Sequence, residues 1–152
     1  VRGVTPHSTG KQYAELKADG TSLYFVGLVD SLFNPSGTGG VLGENRVGQQ
    51  MTDLYTAGGV VTAMGGVAGV NQIMRIAYDA DAELIWVKRG SGPWNNNALA
   101  DPVTGVGGLS TAGLTGPAYV GVVLRQQAGA GVVCRVPSDP GYSLPPGFVP
   151  WS

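Results

Sequence analysis

Residues 71–108 read NQIMRIAYDADAELIWVKRGSGPWNNNALADPVTGVGG, and this stretch decides the fold. Residues 73–78 (IMRIAY) and 84–88 (LIWVK) are short apolar runs bounded by polar turns, the pattern of β-strands. The five residues between them, DADAE at 79–83, read as the tip of a hairpin. Turn-forming and polar residues then fill positions 90–116, far more than the usual connection of about 4–6 residues. Trp94 and three asparagines, Asn95, Asn96 and Asn97, stand near the start of this loop. Long ordered loops on a rigid scaffold tend to carry function.

Upstream, KQYAELKA at 11–18 alternates. Ala14, Leu16 and Ala18 share one parity and Tyr13, Glu15 and Lys17 the other, which predicts a strand with one buried face. Asp19–Gly20 is a hairpin signal, with TSLYFVGLV at 21–29 as the partner strand, apolar enough to be buried on both faces. Residues 30–43 read as a loop. Residues 44–64 admit a short helix at 49–55, but the β-branched residues and Gly58–Gly59 favour two short strands around a turn. Residues 65–69 form another turn. Downstream, PAYVGVVLRQQ at 117–127 and GVVCRV at 131–136 read as the final pair of strands, with a small turn at 128–130. The tail at 137–152 is rich in proline and aromatics, and proline cannot sit in a central strand. It is expected to form a strap over the sandwich edge. Eight or so short strands with glycine turns predict one all-β domain over residues 1–152, an antiparallel two-sheet sandwich or jelly roll.

Composition narrows the function. Glycine is high, 26 of 152 residues, without a collagen-like period, as glycine-turned β-structure requires. Charged residues make up only 12%, about half the usual share, which disfavours disorder and suits packing among other subunits. The net charge is −1 and nothing basic clusters, so nucleic acid is not an expected partner. No apolar run is long enough for a helix to span a bilayer, and the first residues carry no signal-peptide pattern. The single cysteine, Cys134, lies in an apolar run and reads as a small buried hydrophobe. A nucleophilic role needs a base, and the one histidine, His7, is distant in sequence and reads as a surface or interface residue. Neither His7 nor the Asp79, Asp81, Glu83 turn has the ligand pattern of a metal site, and the glycines at 37–43 lack the lysine and helix of a phosphate loop. No cofactor is expected.

The same residues resemble a known family. The strand ending in Asp79 and Asp81, then Ile85–Trp86–Val87, Trp94–Asn95, Asp101–Pro102 and residues 104–108 (TGVGG) are similar to the SPRY-type domains of bacteriophage and prophage proteins. The opening Gly10–Lys11 with Tyr13 and Glu15, residues 26–29 (VGLV), and the closing Tyr142, Pro145 and Gly147–Phe148 follow the family's order. The chain departs from it at Glu83, where glycine is usual, at Arg89–Gly90, which replaces Asn-Gly, and across 44–70, where the match is loose. The resemblance implies a concanavalin-like jelly roll used for binding. It also implies exposure on a phage tail or head fibre, contact with other virion proteins, and a homotrimer. It carries over no catalytic or ligand residues.

The expected ligand site is therefore read from the residues. Trp94 offers an aromatic face to a sugar, Asn95, Asn96 and Asn97 offer amides to its hydroxyls, and Arg89 offers a charge to an acidic group. Against this stands a purely structural reading, in which Trp94 pins the loop to the sandwich, the asparagines cap turns and Arg89 is a solvated strand end. A glycosidase needs two carboxylates facing across about 5–10 Å. Asp53, Asp79, Asp81, Glu83 and Asp101 supply carboxylates but no evident cleft. The expectation is a non-catalytic module that binds a host-surface glycan or protein receptor, with a structural head or tail decoration subunit as the alternative.

Overall fold

The structure is a computed structural model that describes residues 5–19, 23–33, 46–50, 53–56, 59–64, 70–124 and 131–152. Among them are eleven strands and no helix: β1 (Lys11–Asp19), β2 (Leu23–Val29), β3 (Arg46–Gln50), β4 (Asp53–Thr56), β5 (Gly59–Ala63), β6 (Ile73–Asp79), β7 (Leu84–Arg89), β8 (Leu109–Ser110), β9 (Tyr119–Leu124), β10 (Gly131–Arg135) and β11 (Val149–Pro150). They form two sheets, ordered β10-β1-β6-β7-β8 and β5-β4-β3-β2-β9, with β11 added beside β1. All pairings are antiparallel except β1 with β11, so the chain is an all-β two-sheet sandwich. The glycine-rich stretch at 34–43 and the turns expected at Gly20, 65–69 and 128–130 lie outside the described residues.

The hairpin at 73–88 is present. β6 and β7 pair from Met74↔Arg89 to Asp79↔Leu84, with Asp81 and Glu83 exposed at the tip. Asp79 Oδ1 accepts from the Ala82 N–H at 3.1 Å, and Oδ2 meets Lys11 Nζ at 3.2 Å. Glu83 takes φ 54°, the left-handed conformation that favours glycine.

Two other expected pairings are wrong. β1 does not pair with β2, nor β9 with β10; each couple is split between the two sheets. A hairpin signal such as Asp19–Gly20 favours a change of chain direction but does not specify that the strands on either side of it hydrogen-bond. Here Leu16 and Ala18 of β1 face the core from one sheet, and Val26 and Leu28 of β2 face it from the other. Crossing between sheets buries both apolar faces against each other, which a shared sheet would not do. Residues 46–63 form three strands, not two, and β8 interrupts the long segment at 90–116.

The inner faces join in one core that includes Leu28, Val47, Leu54, Met74, Ile76 and Ile85. β2 is buried on both faces as expected, with Phe25 and Val29 packed outward against Phe33, Tyr119 and Val123. Gly27 pairs with Gly48 so closely that a Cβ on Gly27 would lie 2.2 Å from the Val47 carbonyl oxygen. The other face of β1 is not the solvent face its alternation predicts. Tyr13 and Glu15 are buried, because chain from beyond residue 90 lies over them.

Cys134 also departs from expectation. It is a free, exposed thiol. It pairs with Leu16 and so shares the inner face of its sheet, but β10 is an edge strand and the core does not close over it.

Candidate functional site

The outer face of the first sheet carries a second apolar cluster of Tyr13, Ala77, Trp86, Ala100 and Phe148, with Leu84, Trp94 and Tyr142 packed around it. Strand residues supply its floor. The loop at 90–108 and the strap at 137–148 supply its cover.

Asn95 fastens the loop. It is 4% exposed and left-handed at φ 48°, a conformation asparagine tolerates. Its N–H donates to the Val87 carbonyl at 2.8 Å, and its Oδ1 accepts from the Val87 N–H at 2.8 Å. Its Nδ2 donates to the carbonyls of Ile85 at 3.2 Å and Gly107 at 2.9 Å. One side chain thus joins strand β7 to both ends of the loop. Trp86 adds a tie from its Nε1–H to the Val106 carbonyl at 2.8 Å. A Cβ on Gly108 would lie 2.7 Å from the Trp86 ring, so glycine lets the loop return over the indole. Within the loop, Asp101 accepts from the Val103 N–H at 2.9 Å and pairs with Val106 in an isolated bridge. The Asn97 Oδ1 accepts from the Leu99 N–H at 3.0 Å.

The structure brings part of the expected site together. Trp94 is half-buried against the outer cluster, bridges to Lys88 through the backbone, and has the Lys88 ammonium 5.6 Å from its ring centroid. Asn96 and Asn97 are exposed. Asn95 is internal. Arg89 lies on the opposite, core-facing side of β7, where its Nη2 donates to the Met64 carbonyl at 3.0 Å. The surface around Trp94 therefore combines an indole, an ammonium and two exposed amides. Leu99, Val103 and Val106 of the same loop are exposed too, Leu99 at 78%.

A charged network that the sequence reading missed fastens the strap. The Glu15 side chain is fully buried and accepts from Tyr13 Oη at 2.7 Å, Arg75 Nε at 2.9 Å, Arg135 Nη1 and the Ser143 N–H at 3.1 Å. Burial works to raise the Glu15 pKa, but donation from Tyr13, Ser143 and Arg75 outweighs it and holds the carboxyl below its ordinary value. Tyr13 is pushed far up, by burial first and by its bond to Glu15 second. Arg135 also donates to the Pro140 carbonyl. A signal was available: Arg75 and Arg135 each interrupt an apolar strand, and an arginine partly buried among apolar strand residues calls for a carboxylate.

No three His, Cys, Asp or Glu side chains are grouped to hold a metal among the described residues. Compared with models of known protein families and with curated protein sequences, the chain matches none. The fold and this face define the class: a β-sandwich carrying one preformed, tightly fastened loop.

Proposed function

We propose that the chain is a non-catalytic binding module of a phage-type virion surface protein. In this reading it recognises a host-surface receptor, a glycan, through the loop around Trp94, Asn96 and Asn97. The virion setting and a trimeric assembly rest on the ordered resemblance to phage SPRY-type domains. The observation that supports recognition is the fastening of the loop. Its backbone is fixed before any ligand arrives, so binding loses little conformational entropy. Trp94 with Lys88 beside it offers apolar, hydrogen-bonding and cationic contact, the mixture a sugar or acidic sugar requires.

A second reading is favoured by one observation. Leu99, Val103 and Val106 are exposed on the same loop, and such apolar groups suit contact with another protein, as in a structural decoration subunit.

The test is binding of the fluorescently labelled protein to intact candidate host bacteria, with the Trp94→Ala variant alongside. Saturable binding that is competed by polysaccharide from the same cells, and lost in a variant that still melts cooperatively, supports the glycan reading. Binding that survives in Trp94→Ala overturns the loop as the receptor site, and no binding to cells by native protein that does bind purified virion protein overturns the receptor reading in favour of decoration.

A further inference from the structure

Among the described residues, the sandwich stands open between the sheets beside β10. The opening is a groove of about 460 Å³, within the range of roughly 300–1,000 Å³ typical of ligand sites. Its walls include Leu16, Val120, Val122, Leu124, Val132 and Cys134. The charges at its rim, Glu15 and Arg135, are bonded to each other. Among the described residues β10 pairs only with β1, so it offers a free strand edge beside an apolar floor.

Proteins normally protect such edges with charge, proline or a covering segment. β10 reads GVVCR; its one charge turns onto Glu15, and Val133 and Val136 beside it are about half exposed, at 47% and 51%. We propose that this edge accepts an extended peptide strand of a partner protein, apolar at alternate positions, which pairs with β10 and lays its inward side chains into the groove. The pairing of two needs selects this occupant. A small apolar molecule fills the floor but leaves the β10 main chain unmet, whereas a strand satisfies both, with main-chain bonds for affinity and alternate side chains for specificity. The lack of free charge at the groove calls for an uncharged strand core. The site is separate from the Trp94 loop and stands whether or not the receptor reading does.

Cys134 supplies the reporter, since it is the single cysteine of the chain and opens into the groove. The experiment follows its alkylation by N-ethylmaleimide in native protein, with three acetylated and amidated peptides: KTVTVTVTK, the same peptide with serine for valine, and the same peptide N-methylated on alternate amides. The first peptide is expected to slow alkylation about fivefold at about four times its Kd, and the other two to leave the rate unchanged. Equal slowing by the N-methylated peptide means the groove takes apolar groups without strand pairing and overturns the proposal. So does no slowing at millimolar peptide. Slowing by the protein's own concentration, with no peptide added, makes the occupant a second copy and overturns it as well.

Discussion

The loop at 90–108 and the strap at 137–148 cover the same outer face of the first sheet, and they are fastened by different chemistry. The loop is held by neutral bonds through Asn95 to main-chain groups of β7 and Gly107. The strap is held by a carboxylate shared among two arginines, a tyrosine and a strap N–H. Both burials help: each large aromatic covered, such as Trp86 or Phe148, contributes roughly 1.5–3 kcal/mol. The difference is that the loop's fastening is indifferent to pH, whereas the strap's depends on one ionised group. A loop that must keep its shape in changing surroundings is better built the first way.

Breaking the ionic latch has the largest expected effect. Glu15→Gln removes the buried carboxylate and leaves the partly buried Arg75 and Arg135 without their counter-charge, a loss of about 3–5 kcal/mol. A thermal melt should fall by roughly 10 °C, and limited proteolysis should open the strap before the sheets. The neutral latch comes next. Asn95→Ala strands the Val87 N–H and the carbonyls of Ile85 and Gly107, for about 2–3 kcal/mol, and the cost should be the same at pH 7 and pH 4.

Acid sharpens the contrast. The Glu15 carboxyl lies below its unfolded value of 4.5 in the folded chain. Its stabilisation is therefore complete above that value and is lost as pH falls through the lower, folded one. Melts recorded from pH 5 downward should steepen in the native protein and in Asn95→Ala, and flatten in Glu15→Gln. The same slope in Glu15→Gln would mean that another carboxylate holds the strap. The smallest effect is expected at the hairpin tip. Glu83→Gly relieves the left-handed backbone at φ 54° and should raise the melting point by about 1–2 °C, since the gain is partly offset by glycine's entropy.

How much of this was legible in the sequence varied with how local the cause is. The β6–β7 hairpin was, because two apolar runs around an acidic turn leave one sensible pairing. That the tail forms a strap was legible from its prolines, but it covers the outer face of the first sheet and not the sandwich edge, and β11 joins that sheet beside β1. The Asp19–Gly20 turn misled, since turn chemistry encodes reversal and not the sheet that receives the next strand. Glu15 misled because alternation gives two faces without saying what covers the second. For Asn95 both readings stood open, a ligand-facing amide or a structural cap, and its bonds to main-chain groups are those of the second; nothing local separates a capping amide from an exposed one.

The sequence by itself determined the all-β class, the central hairpin, the long loop after β7 and the low charge. Those follow from side-chain period and composition, which act within a few residues. Only the tertiary structure decided that β1 and β2 face each other across the core, that Glu15 is an internal latch, that Asn95 points inward and that Cys134 opens into a groove. Each depends on which distant segment arrives over a given face, as Ser143 reaches Glu15 across 128 positions. Such arrivals are fixed by the burial of the whole chain and not by any stretch of it.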